Sequence, residues 1–202
     1  MDAPYLKCYL KKARRLNAWL VFIDESGFLM AALVCRGWSP QGQAPLLLQR
    51  GEHQQKVSVI AVLCLRGRRF YFGLHPNADI HTQQVISFLR HLDPELNGPW
   101  LLLWDRLNAH RARRTSQFLA PRSYPRAYFL PVYAPDLNPI EYAWCYLKMN
   151  PLANSPHFDL PALTHTTRRQ ARSLQRKPDL LGSFLSHSPL FCNHDRTLLI
   201  QD

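Results

Sequence analysis

Compact apolar runs alternate with amphipathic stretches along this chain, and together they predict most of its elements. WLVFID at 19–24 is an unbroken apolar run that stops at acidic residues, the pattern of a buried strand. VSVIAVLCL at 57–65 and RFYFGLH at 69–75 are β-prone and flank Arg66-Gly67-Arg68, which predicts a hairpin. Over 79–92, Ile80, Val85, Phe88, Leu89 and Leu92 fall at near-helical spacing behind Asp79, a candidate N-cap. WLLLWD at 100–105 repeats the first pattern, an apolar strand ending in Asp. A basic helix is expected around 111–120, and a third buried strand in AYFLP at 127–131.

YAPDLNP at 133–139 reads as a loop closed by Asn138-Pro139, a helix-start signal with Pro139 at the first helical position. The helix that follows puts Ile140, Trp144 and Leu147 on one face. Residues 5–16 predict a short basic helix, 36–45 a turn-rich loop, and 160–175 a further helix. There is no internal repeat. The order of elements describes an α/β fold, a mixed sheet with helices packed on its faces. The expected organisation is a basic leading helix or linker over 1–17, a core domain over 18–150, and a basic C-terminal extension over 151–202. That extension either packs on the domain or is only partly ordered.

With 202 residues the chain can build one good core but not two large domains. Its charge changes the picture more than its size does: 25 Lys and Arg against 14 Asp and Glu give +11. Such a surplus favours a polyanionic partner, nucleic acid ahead of an anionic membrane. Five cysteines without a C-x-x-C pair argue against a disulfide framework or a zinc site, and fit a reducing cytosol. The N-terminus has charges but no apolar core of a secretory signal, and no apolar run is long enough to span a bilayer. A cytoplasmic, nucleoid-associated protein is expected.

Carboxylates are scarce here, so their placement is informative. Asp24 and Asp105 each close an apolar strand, at the sheet edge where α/β proteins bind ligands. Glu141, one turn into the last core helix, is within reach of the same crevice. Three converging carboxylates repel one another unless a cation sits between them. Oxygen-only ligands suit Mg²⁺ or Mn²⁺, and two such ions can activate an attacking oxygen and stabilise a leaving one in phosphodiester chemistry. Each residue also has a plainer reading. Either Asp can simply mark a strand end, and Asn138-x-x-Glu141 has the spacing of a capping box. Glu25 adjoins Asp24, but strand alternation points it to the opposite face, which leaves it out of the set.

FIDESGF (22–28), RGWSPQG (36–42), LLLWDRLNAH (101–110) and LPVYAPDLNPIEYAWCYLK (130–148) resemble the mariner-type superfamily of transposases, and within it the bacterial insertion-sequence branch. APDLNPIEYAW is the most specific piece, and 35 residues separate Asp105 from Glu141, a spacing that branch uses. The resemblance implies a ribonuclease H-like fold with Asp24, Asp105 and Glu141 as the catalytic, metal-holding triad. It also implies Mg²⁺-dependent (or Mn²⁺-dependent) nicking at transposon ends with two ions. Attack of a DNA 3′-hydroxyl on a target would follow, with a homo-oligomer assembled on paired ends. Asn108 and His110 match the family's polar positions after the second Asp, where they would orient a metal water or a phosphate, or hold the structure by hydrogen bonds. Trp38 and Gly42 match a recurrent loop. Two departures stand out. Family members usually carry helix-turn-helix modules before the catalytic domain, and Arg106 stands where many relatives have Asn. The chain is therefore expected to hold the catalytic domain without its recognition module.

Basic residues supply the expected grip on DNA. Arg66 and Arg68 crowd the hairpin turn, Arg106, Arg111, Arg113 and Arg114 follow the second Asp, and a further group lies in the tail. Contacts of this kind hold phosphates and give affinity without reading sequence. Asn138 joins Asn108 as an accessory polar residue. Two rival functions share the same sequence: a ribonuclease H-like nuclease, and a DNA-binding transposase remnant without turnover.

Overall fold

The computed structural model describes residues 4–31, 34–36, 38–43, 55–149 and 152–192. Five strands, β1 (Trp19–Leu29), β2 (Lys56–Cys64), β3 (Phe70–Pro76), β4 (Trp100–Trp104) and β5 (Arg126–Phe129), form one sheet in the order β3-β2-β1-β4-β5. β1 to β3 run as an antiparallel meander, and β4 and β5 join parallel to β1. The helices are α1 (Pro4–Arg15), α2 (Thr82–Leu96), α3 (Asn108–Arg111), α4 (Arg113–Leu119), α5 (Ile140–Met149), α6 (Leu160–Gln175), α7 (Pro178–His187) and α8 (Pro189–Cys192).

The continuous apolar runs reflect a sheet covered on both faces. Alternation along β1 sends Leu20 and Phe22 into a core shared with α1, α5, α6 and α7. Val21 and Ile23 go to the other face, against Val85, Leu89 and Leu92 of α2. In β4, Leu101 and Leu103 face the first core while Leu102 and Trp104 face the second. The hairpin forms where expected, because Gly67 supplies the left-handed backbone (φ 64°) of its turn at little steric cost.

Several boundaries differ from the sequence expectation, each for a physical reason. β1 runs on past Asp24 to Leu29, since β2 continues to pair with it there. Asp79 does not cap α2. It pairs with Lys56, and α2 begins three residues later with the His81 N–H donating to Gln84 Oε1 at 3.1 Å. The expected basic helix is two helices, α3 and α4, separated by Ala112 in an extended conformation. The third buried strand is an edge strand, β5, with its ends exposed to solvent.

Downstream of α5, α6 buries Leu163, Ala171 and Leu174 at helical spacing, and α7 buries Leu181 and Leu185; all five enter the first core. These helices pack on the sheet, and the basic side chains Arg168, Arg169 and Arg172 lie exposed on α6, with Arg176 exposed just past its end. Residues 37, 44 and 45 of the expected 36–45 loop lie outside the described residues. No helix among the described residues is long and apolar enough to cross a membrane. Cys8, Cys35, Cys64 and Cys145 are free thiols.

Candidate active site

A difference in strand length creates the site. β4 pairs with β1 only from Trp19 to Phe22, opposite Trp100 to Leu103, whereas β1 continues to Leu29 along β2. A crevice opens beside β1 where β4 stops. Asp24 projects there from the middle of a long strand, rather than from a strand end as expected. Asp105 is the first residue beyond β4, and Glu141 lies in the first turn of α5. All three line one cleft of about 300 Å³, with Arg106, Tyr133 and Asn138 among its other walls.

Each acid is held differently. Asp24 is buried, and its Oδ2 accepts the indole N–H of Trp144 at 2.9 Å. Burial, reinforced by the charges of Glu141 and Glu25, pushes its pKa up to about 8 against the pull of that hydrogen bond. Asp105 is only half-buried. Partial burial disfavours its charge, but hydrogen bonds from His110 and the Leu107 N–H outweigh this and hold its pKa below the usual carboxylate value. Burial raises Glu141, with Asp105 and Asp136 adding to the effect and Lys148 opposing it.

The Glu141 carboxylate is not spent on a capping box. The Asn138 N–H that it would cap donates instead to the Pro135 carbonyl at 2.7 Å. Asn138 itself is buried. Its Nδ2 donates to the Ile23 carbonyl at 3.3 Å and its Oδ1 accepts from the Ile140 N–H, so it ties the start of α5 to the strand that carries Asp24. Asn138→Ala should leave these buried groups unpaired and lower stability by about 1–3 kcal/mol in urea unfolding. An unchanged midpoint would show that the tie is dispensable.

His110 takes the hydrogen-bonding role, one of the two its sequence position leaves open. Its side chain is fully buried and stacks on Trp104, with ring centroids 4.4 Å apart. Nδ1 donates to Asp105 Oδ1 at 2.8 Å and Nε2 to Glu25 Oε1 at 3.0 Å. Burial favours the neutral ring, but the two carboxylates overcome it and raise the pKa to about 9. No ring nitrogen is left for a phosphate, so the expected DNA contact at His110 gives way to an internal one. Glu25 does point away from Asp24, as alternation requires, yet it reaches the site through this histidine. The Asp105-to-His110 spacing was the available signal; nothing in sequence tied either residue to Glu25.

The expected DNA-binding residues divide into two groups. Arg106 lines the cleft, its guanidinium over the Phe129 ring, and Arg111, Arg113 and Arg114 lie exposed on α3 and α4 just beyond. Asn108 is exposed at the start of α3. Arg66 and Arg68 are elsewhere: the hairpin turn adjoins Leu20, at the end of β1 away from Asp105. There Arg66 bonds Asn17 and Arg68 pairs with Asp179. Trp38 is fully exposed, and Gly42 takes a positive φ of 82°.

Among the described residues, no three His, Cys, Asp or Glu side chains stand close enough together to surround one ion. The donor chemistry of the cleft nevertheless fits a hard divalent cation. Its walls carry three carboxylates and no His or Cys, and Mg²⁺ keeps several waters and takes few protein ligands. Burial raises both Asp24 and Glu141, and neighbouring carboxylates add to it, so a cation in the cleft would relieve both.

Residues 19–164 match the family described as DDE superfamily endonuclease. No curated protein matches the chain by sequence. Among solved structures, the Mos1 mariner paired end complex with Mg aligns with a TM-score of 0.65 at 16% identity, over 98% of this chain and 61% of that one. The Mos1 strand transfer complex aligns with a TM-score of 0.59 at 17% identity, over 91% of this chain and 59% of that one. The catalytic domain of Mos1 mariner transposase aligns at 0.53 and 14% identity, over 91% of this chain and 89% of that one. The chain thus spans about 60% of the length of the larger Mos1 chains. At these identities the likeness establishes the fold, which is ribonuclease H-like with the expected mixed sheet. The extent of the family match establishes more: this chain belongs to the DDE superfamily endonucleases.

Proposed function

We propose that the chain is the catalytic domain of a DNA transposase of the mariner type, most similar to its bacterial insertion-sequence branch. It would cut phosphodiesters at transposon ends and join them to a target. The observation that carries this reading is the convergence of Asp24, Asp105 and Glu141, from three separate elements, on one cleft rimmed by Arg106. The paired-end complex of Mos1 with a transposon end and the Mos1 strand-transfer complex, from a protein of the same fold, support the DNA substrate; assembly as a homo-oligomer on paired ends is part of the same reading.

Asp24, Asp105 and Glu141 would hold two Mg²⁺ or Mn²⁺ ions. When bound, these would polarise the scissile phosphate, activate the attacking oxygen and stabilise the leaving one. The protein's own part is positioning. Trp144 fixes the rotamer of Asp24, His110 that of Asp105, and Asn138 sets the start of α5 and with it Glu141. Arg106, with Arg111, Arg113 and Arg114 beyond it, would meet the DNA phosphates. Water serves as nucleophile for nicking, and a DNA 3′-hydroxyl for joining; in each, one P–O bond forms as another breaks.

Supercoiled plasmid incubated with the protein and Mg²⁺ or Mn²⁺ should convert to nicked circles, and EDTA should stop the conversion. DNA that is bound but never cut with either metal would favour the non-catalytic DNA-binding reading. Cutting confined to the RNA of hybrids would favour a ribonuclease H-like nuclease.

A further inference from the structure

We propose that Glu25 is a positioning residue for this metal site, acting through His110 on Asp105; the inference rests on the reading of Asp105 as a metal ligand. Glu25 stands on the face of β1 opposite Asp24 and is absent from the cleft walls, so it is not placed to touch the substrate. It is instead the far end of a continuous chain of contacts. Its Oε1 accepts from His110 Nε2 at 3.0 Å, and His110 Nδ1 donates to Asp105 Oδ1 at 2.8 Å. The ring between them is wholly buried and lies nearly parallel to Trp104, 12° from coplanar. The stack fixes the plane of the imidazole, and the hydrogen bond to Glu25 fixes its rotation within that plane. Only then does Nδ1 face Asp105.

The chemistry of Glu25 argues for such a task. Among the described residues its buried Oε2 has no hydrogen-bond partner. A carboxylate in that setting is costly, and packing alone would be served better by an apolar side chain of the same size. Among the described residues, its side chain's one hydrogen bond is the one that reaches the site. Asp105 has a second orienting partner in the Leu107 N–H, so losing Glu25 should loosen Asp105 without releasing it. Partners of this outer kind change metal affinity by about ten- to a hundredfold when removed.

The test is titration of the full chain with Mn²⁺, following the free ion by electron paramagnetic resonance, for wild type, Glu25→Ala, Glu25→Leu and Glu25→Gln. Glu25→Ala should bind Mn²⁺ about ten- to a hundredfold more weakly than wild type. Glu25→Gln keeps an oxygen that accepts from His110 Nε2 and should recover to within a few-fold. Glu25→Leu fills the space but leaves the buried His110 Nε2–H unpaired, so it should melt below wild type yet stay folded at the titration temperature, while losing affinity like the alanine variant. It carries the test if Glu25→Ala does not fold. Wild-type affinity in Glu25→Leu would overturn the proposal, and so would Glu25→Gln losing as much as Glu25→Leu, because the charge rather than the hold on His110 would then matter. A wild-type chain that binds no Mn²⁺ would instead overturn the metal reading itself, and this inference with it.

Discussion

Asp24→Asn, Asp105→Asn and Glu141→Gln should each slow metal-dependent cleavage by about 10³-fold or more while leaving DNA affinity within a few-fold of wild type. Bound ions supply several kcal/mol of transition-state stabilisation, and about 1.4 kcal/mol corresponds to a factor of ten in rate. Loss of one ligand that misplaces an ion therefore reaches three orders of magnitude. The amide substitutions keep size and hydrogen bonding: Asn at position 24 still offers an oxygen to the Trp144 N–H. DNA affinity should persist if, as proposed, the exposed arginines of α3 and α4 rather than the acids meet the phosphates. Double substitutions should cost little more than single ones, since the three acids act as a unit. Single-turnover cleavage of an end-labelled duplex, paired with a gel-shift titration, measures both quantities. A near-wild-type rate in Glu141→Gln would remove Glu141 from the triad and leave it as a residue of the first turn of α5.

Much of this site was legible in sequence, because burial leaves a strong mark. β1 and β4 are covered on both faces, so WLVFI and WLLLW stand out as unbroken apolar runs, and the acids that follow them are conspicuous. What sequence could not supply is register. It did not show that β1 outlasts β4, which is why Asp24 lies mid-strand yet faces a crevice. Nor did it show which end of the sheet the hairpin turn occupies, and so Arg66 and Arg68 looked nearer the acids than they are. Alternation placed Glu25 on the correct face, but its partner is 85 positions away, beyond any local pattern. The local sequence around His110 leaves open whether it would orient a phosphate or metal water or hold the structure by hydrogen bonds. Only the tertiary stack on Trp104 accounts for its burial.

Without metal, the protein should lose stability as pH rises from about 4 to about 9, and Asp24→Asn should remove most of that loss. Asp24 carries the larger part. It would ionise near 3.8 when unfolded and near 8 when folded, so between those values the folded state holds a proton that the unfolded state lacks. Stability falls with pH wherever the folded state binds more protons, so this contribution is complete below pH 3.8 and gone above pH 8. Each pH unit across that window is worth about 1.4 kcal/mol, so the total reaches several kcal/mol. His110 has the same sign: its contribution is present below about 6.5 and lost as pH rises through about 9. Asp105, held low, adds stability above its unfolded value and loses it only in acid. At pH 8 Asp24→Asn, which mimics the protonated acid, should therefore melt well above wild type, with the remaining decline shared by Glu141, whose raised carboxyl has the same sign, and His110. A divalent cation should reverse the order. Mg²⁺ at a hundred times its dissociation constant stabilises the folded state by about 2.7 kcal/mol, and it should do so for wild type but not for Asp24→Asn. Thermal melts at pH 5, 6.5 and 8, with and without Mg²⁺, measure this directly. A wild-type melting temperature that holds steady or rises from pH 5 to 8 would mean that Asp24 is ionised and compensated without metal, and that the cleft carries no electrostatic demand for a cation.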